Sequence, residues 1–165
     1  MPVTLLYVDQ TRWETDDAVR QELSRIYADA PRERLRTRTV APFIEQHLVQ
    51  SPRQFFACAR FNGHLLGAVA IYEADDRAWW LSELCVKSSA RRRGVGSRLM
   101  ALLGEQAKED GRTLRIDAGS LPLADRILLS KIGYRPFSAP PAAGSGALSD
   151  SGIHEYVELD PQGNG

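Results

Sequence analysis

Cysteine is scarce in this chain of 165 residues, with Cys58 and Cys85 standing far apart in strand-like runs. They match neither a C-x-x-C redox spacing nor a metal-ligand spacing, which excludes a disulfide framework and a cysteine-based zinc site. Buried, reduced thiols are expected instead. Net charge is absent too, because 21 basic residues face 21 acidic ones. Bulk binding to nucleic acid or to an anionic membrane surface needs a cationic surplus that this sequence does not have. Long apolar runs are missing: none approaches the roughly 18 residues that a membrane-crossing helix requires. The first residues do not follow the basic-then-apolar pattern of a secretory signal, so a cytoplasmic protein is expected. No internal repeat or composition boundary marks a second domain. One domain over residues 1–165 is the expectation, and a hydrophobic content of 43% is enough for it to bury a core. The three histidines have no Ser/His/Asp or Cys/His arrangement around them, and no metal site is expected.

What the chain does have is a change of period within residues 79–104, WWLSELCVKSSARRRGVGSRLMALLG. Residues 79–86 are aromatic and β-favouring, as in a buried strand. From Val95 the apolar positions are Val95, Leu99, Leu102, Leu103 and Ala107, which is helical spacing. Between strand and helix lie Arg91, Arg92, Arg93, Gly94, Val95, Gly96 and Ser97. The first turn of a helix leaves N–H groups without acceptors, and the helix dipole adds partial positive charge there. Gly94 and Gly96 let an incoming group approach the backbone. Three guanidinium groups beside such a turn favour a multiply charged anion such as a pyrophosphate, each charge-assisted hydrogen bond contributing roughly 1.5–3 kcal/mol. A P-loop is absent, since no Lys-Ser/Thr pair follows a second glycine. The dinucleotide fingerprint fails at Leu99, where glycine is needed, although Asp117 lies about 20 residues further on.

The rest of the chain frames this motif. Residues 3–8 suit a first strand. Thr15 or Asp16 can cap a helix over 18–28, with Val19, Leu23, Ile26 and Tyr27 on one face. Residues 32–38 read as a solvated connection, and Pro42 opens a short helix reaching His47 or Leu48. Two β-rich runs, 55–61 and 65–72, meet at Asn62-Gly63, the strongest short hairpin signal a sequence can carry. Asp75-Asp76-Arg77 turns the chain into the strand at Trp79. After the motif helix, residues 113–118 form a strand reached by a crossover, hence a parallel pair. A helix runs from Pro122 to Ile132 and stops at Gly133. Residues 134–137 and 153–159 are the last strands, with a mobile loop expected over 138–152.

The pattern Arg91-x-x-Gly94-x-Gly96, after a strand and opening a helix, resembles motif A of the GNAT (Gcn5-related) acetyltransferase superfamily. The resemblance implies a GNAT acyl-CoA-binding fold of the α/β (α+β) class, with a mixed, mostly antiparallel sheet flanked by helices. It implies acetyl-CoA or CoA as cofactor. Leu84, Cys85 and Val86 would line the acyl-pantetheine arm, and Arg91 to Ser97 would hold the phosphates. Acetyl transfer to an amine also needs a base, an oxyanion donor and an acid for the leaving thiolate. Glu83 is the candidate base, with Glu73 and His64 behind it. A backbone N–H near Leu84 to Val86 can serve the oxyanion. Many members of the family place a tyrosine acid four residues before the glycine that closes the penultimate helix; here that position is Leu129, and Tyr134 reads as core.

Further runs, Ala59-Arg60-Phe61-Asn62-x-x-Leu65-Leu66, Arg91 to Gly96 and Asp117-Ala118-Gly119, are similar to the PanZ (PanM) family of acetyl-CoA sensors across roughly residues 55–135. That family also lacks the tyrosine. The resemblance implies a regulator that promotes maturation of the pyruvoyl-dependent aspartate 1-decarboxylase precursor and its feedback control in pantothenate synthesis. Arg60 and Asn62 would then face the decarboxylase. The alternative is an N-acetyltransferase acting on a small-molecule or protein amine. Neither nucleic acid nor membrane is expected as a partner.

Overall fold

Asn62 and Gly63 both take left-handed backbone, with φ of 52° and 77°, as a two-residue hairpin loop of this kind requires. They join strand β2 (Gln54–Phe61) to β3 (His64–Glu73), paired antiparallel from Gln54↔Tyr72 to Phe61↔His64 with a register shift at Ala59/Arg60. The computed structural model describes residues 3–28, 40–117, 123–137 and 156–159. The connection over 32–38, Ala118, Gly119, Pro122, the expected loop over 138–152 and residues 153–155 lie outside them.

Strand β1 (Thr4–Val8) pairs antiparallel with β2, Thr4↔Arg60 to Val8↔Phe56. Strand β4 (Trp79–Val86) and β5 (Leu114–Asp117) run parallel, matched from Trp79↔Leu114 to Leu81↔Ile116, which is the crossover pair expected from the sequence. Strand β7 (Tyr156–Leu159) lies antiparallel to β5 and to β6 (Arg135–Phe137). The sheet order is β1-β2-β3-β4-β5-β7-β6. This is the mixed, mostly antiparallel sheet with flanking helices expected from the sequence. The chain's packing divides it into two compact units, Met1–Tyr72 with Glu83–Leu103 and Glu73–Ser82 with Gly104–Gly165.

Among the described residues the first unit contains helices α1 (Gln10–Thr15), α2 (Asp17–Ala28) and α3 (Val40–Gln50). Helix α1 was not legible in the sequence, because its only buried residue is Trp13 and no apolar period forms. Its signal is a cap: the Asp9 carboxylate accepts from the Arg12 N–H at 2.8 Å. Asp16 caps α2 in the same way, accepting from the Val19 N–H at 3.2 Å. Val19, Leu23, Ile26 and Tyr27 are the buried face of α2, and each such side chain contributes about 1.5–3 kcal/mol of burial. The Tyr27 ring packs on Phe43 and Phe56, centroids 5.2 and 5.6 Å away. His47 also finds partners here. Its Nε2 lies 2.9 Å from the Phe55 carbonyl and 3.1 Å from that of Ile71. Carbonyls only accept, so Nε2 carries the hydrogen, and Nδ1 can accept from Gln54 Nε2 at 3.3 Å.

The second unit is held by two arginines laid against tryptophans. Arg112 lies 4.6 Å from the Trp79 ring centroid and donates to the Glu73 carboxylate and the Arg77 carbonyl, each at 2.8 Å. Trp79 Nε1 donates to the same Glu73 oxygen at 3.2 Å. Arg115 lies 5.8 Å from the Trp80 ring centroid and pairs with Asp76 at 2.7 Å and Glu158 at 3.3 Å. Helix α5 (Leu123–Lys131) contributes the buried Leu129, and Tyr134 is buried after it. Helix α4 (Val95–Asp110) belongs to the first unit as far as Leu103 and to the second from Gly104. No helix among the described residues is long and apolar enough to cross a membrane.

Candidate functional site

Strand β4 does not run straight into its turn. Glu83 has φ of 54°, left-handed backbone in mid-strand, where a non-glycine residue stays only if neighbours hold it. The neighbour is α2: the Tyr27 hydroxyl donates to the Glu83 carbonyl at 2.8 Å. Two residues later the Cys85 thiol donates to the Ile26 carbonyl at 3.3 Å. Cys85 is therefore committed to the core through its side chain, and any contact it makes with a ligand runs through its main chain. Cys58 is buried as well, and burial pushes its thiol up to about 12; both cysteines are unbridged.

At the end of β4 the Lys87 N–H donates to the Leu66 carbonyl at 2.9 Å. One 3-10 turn, Ser88–Ala90, follows. Arg91 then folds back so that its Nε donates to the Val86 carbonyl at 3.1 Å. This staples the turn to the strand, a structural task that the sequence does not reveal. Arg92 and Gly94 both have positive φ, 65° and 77°, and two left-handed residues within three positions wrap the backbone tightly before α4. The Gly94 carbonyl accepts the first helical bond, from the Arg98 N–H at 2.9 Å. Among the described residues no acceptor meets the N–H groups of Val95, Gly96 and Ser97. Arg91, Arg92, Arg93, Gly94 and Ser97 are exposed and Val95 is buried. Exposed arginines around unfilled helix-terminal amides are the chemistry that receives a phosphate or pyrophosphate.

Strand and turn meet at Gly96, where an added Cβ would lie 3.5 Å from Val86 Cγ2 and 4.0 Å from Leu84 Cδ2. The structure thus brings Leu84, Val86 and the turn together. Sequence reasoning missed Gly67 on β3. A Cβ there would come within 3.2 Å of the Cys85 carbonyl and 3.3 Å of Val95 Cγ1, so its bare backbone lets the start of α4 settle against the sheet. The available signal was a glycine inside a strand pattern. Arg60 and Asn62, the expected partner-facing residues, are exposed at the β2–β3 hairpin end. Glu22 grips that end from α2, meeting His64 Nδ1 at 2.7 Å and accepting from the Leu65 N–H at 3.1 Å.

Each candidate acid–base residue has surroundings of its own. Leu129 is buried, and its carbonyl accepts the Tyr134 N–H at 2.9 Å. The Tyr134 hydroxyl is buried with no partner among the described residues, and burial raises its phenol well above the usual range. Such a group holds its proton. Glu73 is tied to Trp79 and Arg112, His64 to Glu22, and His47 to two carbonyls. Glu83 is half-buried and remains the candidate base nearest the expected acyl strand. No cluster of three His, Cys, Asp or Glu among the described residues could hold a metal ion.

Known proteins extend this picture. Against curated protein sequences the chain finds no match. Its fold is similar to aminoglycoside 6'-acetyltransferase type Ii, at 17% identity, TM-score 0.65 and coverage of 96% of this chain and 97% of that one. It is similar to the ribosomal-protein-S18-alanine N-acetyltransferase of Escherichia coli, at 16% identity, TM-score 0.61 and coverage of 96% and 93%. A third likeness is a GNAT family acetyltransferase from Elizabethkingia anophelis solved with acetyl-CoA bound, at 16% identity, TM-score 0.62 and coverage of 96% and 97%. The profile of the Acetyltransferase (GNAT) family matches residues 18–125, which include the β2–β3 hairpin, β4, the arginine turn and the helix it opens. By a match of that extent, the chain belongs to the GNAT acetyltransferase family.

Proposed function

We propose that this GNAT-family chain binds acetyl-CoA, with residues 91–97 receiving the pyrophosphate and residues 84–86 running beside the acyl-pantetheine arm. The observation that carries the reading is the turn itself: helix-terminal amides without acceptors, opened by Gly94 and Gly96 and ringed by exposed arginines. Four or five charge-assisted contacts of roughly 1.5–3 kcal/mol each are enough for micromolar affinity, about −8 kcal/mol, after the costs of binding are met. The acetyl-CoA bound to the Elizabethkingia anophelis neighbour supports the same ligand class.

For the use of that ligand we favour a PanZ-like sensor of the cytoplasm. Two features support it: the similarity of residues 59–66, 91–96 and 117–119 to that family, and a buried leucine at the acid position. Acetyl-CoA would order the turn, and the hairpin end carrying Arg60 and Asn62 would meet the aspartate 1-decarboxylase precursor, so ligand and partner bind cooperatively. The test is capture of the uncleaved precursor with and without acetyl-CoA. Capture strengthened by acetyl-CoA is expected, and no capture in either condition removes this use.

A second reading is acetyl transfer to a small-molecule or protein amine. Family membership and the acetyltransferase neighbours favour it. Glu83 or an ordered water would take the amine proton, and solvent would supply the proton of the leaving thiolate. Thiol release across a panel of amines, lost in Glu83→Gln, would establish it. A flat panel would leave the sensor reading alone.

A further inference from the structure

Tyr27 is nearly fully buried, and its ring would pack on Phe43 and Phe56 equally well as phenylalanine. Its hydroxyl has a separate task, donating to the Glu83 carbonyl at 2.8 Å from 56 residues away in the chain. The next residue back, Ile26, accepts the Cys85 thiol at 3.3 Å. Consecutive residues of α2 thus grip β4 at 83 and 85, either side of Leu84. Glu83 is also the residue of β4 with positive φ, 54°, a conformation that persists in a non-glycine residue only where surroundings hold it. No peptide bond in the described chain is cis, and in a trans peptide the C=O and N–H point in opposite directions. Turning the Glu83 carbonyl toward Tyr27 therefore turns the Leu84 N–H away from α2. One hydroxyl sets the plane of the peptide that begins the 84–86 segment.

We infer that Tyr27 is a positioning residue for the acyl end of the coenzyme: its hydroxyl fixes the Glu83–Leu84 peptide and, through it, the backbone that meets the acetyl thioester. This rests on the acetyl-CoA reading above. It separates two parts of the ligand, because the phosphates belong to the turn at 91–97 and the acetyl group to the segment that Tyr27 sets.

The experiment is calorimetric titration of acetyl-CoA and of CoA into the full chain, as wild type, Tyr27→Phe and Phe56→Leu. Phe56→Leu loosens the packing around the same ring while leaving the hydroxyl, and thermal melts report the stability of all three. Wild type is expected to bind acetyl-CoA more tightly than CoA. Tyr27→Phe should weaken acetyl-CoA about five- to tenfold, the effect of one hydrogen bond, and leave CoA within about twofold. Phe56→Leu should melt earlier with the ratio of the two affinities unchanged. Equal weakening of both ligands in Tyr27→Phe, or an unchanged ratio, would overturn the positioning role while the coenzyme site stands. A wild-type ratio near one would overturn it in the same way. Failure of wild type to bind either molecule would remove the coenzyme reading itself, and the positioning role with it.

Discussion

Gly94 and Gly96 stand two positions apart and are glycine for different reasons. Gly94 has φ of 77° and open space where a Cβ would go, so alanine there meets strain and no clash. Gly94→Ala should cost about 1–2 kcal/mol of stability and lower the melting midpoint by about 2–4 °C per kcal/mol, measured by circular dichroism. Gly96 lies in the first turn of α4, and its added Cβ would meet Val86 at ordinary contact distance. Gly96→Ala should leave the melt unchanged or slightly higher, because alanine is the better helix former. Acetyl-CoA affinity should nevertheless fall about tenfold, since the methyl group narrows the space beside Val86 and Leu84 along which the coenzyme's arm is proposed to run. Both glycines were legible in the sequence. Which one serves the backbone and which the ligand was not, because φ and the direction of a missing Cβ exist only after folding. Arg91 makes the same point: three arginines in a row look alike until one is seen stapled to Val86. His47 had no partner in the sequence because its carbonyls come from Phe55 and Ile71 in the neighbouring strands. Burial lowers its pKa, against the pull of those carbonyls. An unfolded histidine titrates near 6.5. The neutral ring therefore contributes stability in full above that pH, and the contribution is lost as pH falls below it, because the unfolded chain takes up the proton first. Urea midpoints at pH 8 and pH 5.5 should differ more for wild type than for His47→Gln.

At the scale of elements, the placement of α4 against β3 and β4 decides where the turn sits. Gly67 is the contact point, and the atom that a methyl group would strike hardest is a backbone oxygen, the Cys85 carbonyl at 3.2 Å. A carbonyl in a central strand cannot swing aside as a side-chain tip can. Gly67→Ala should therefore push Val95 and the start of α4 off the sheet, costing about 1–3 kcal/mol as overpacking does. Acetyl-CoA affinity should fall with stability, in contrast to Gly96→Ala, and titration plus melting of both variants separates the two. In the second unit the Arg112–Glu73–Trp79 group ties a strand end to the start of β4 and to the residues before β5. Arg112→Met should cost about 1–2 kcal/mol, because the Arg77 carbonyl loses its donor and Glu73 keeps Trp79 Nε1 but loses its charged partner, in a site partly open to water; a urea titration measures it. The hairpin, β4, α4 and the crossover to β5 could be read in the sequence because each is a local pattern: Asn-Gly, alternation, helical spacing. Helix α1 could not, since six residues with one buried side chain make no period. Nor could the insertion of β7 between β5 and β6, which is a long-range pairing that no local pattern encodes.

For the whole molecule, sequence and structure meet on one statement, membership of the GNAT family, and on one place, the turn that opens α4. The resemblance to motif A implied the fold class, with which the element order agreed, and it pointed to the ligand class before any geometry was known. The use of the ligand was less legible, because acid–base catalysis depends on groups from distant elements meeting at one point. In the structure Glu73 pairs with Arg112, His64 with Glu22 and His47 with the strand carbonyls, and Tyr134 lies in a buried site that raises its phenol, while half-buried Glu83 stays the candidate base. On the sensor reading, thiol release from acetyl-CoA should be slow with any amine, whereas turnover with one amine of a panel would favour the transferase reading. The central claim, that residues 91–97 hold the pyrophosphate of coenzyme A, is tested most directly by titrating acetyl-CoA into the wild-type chain and into the Arg92→Ala/Arg93→Ala double variant. Saturable one-to-one binding at micromolar concentration is predicted for wild type, weakened by at least about tenfold in the double variant through loss of one or more charge-assisted bonds. No saturable binding by wild type, or the same affinity in both proteins, would contradict it.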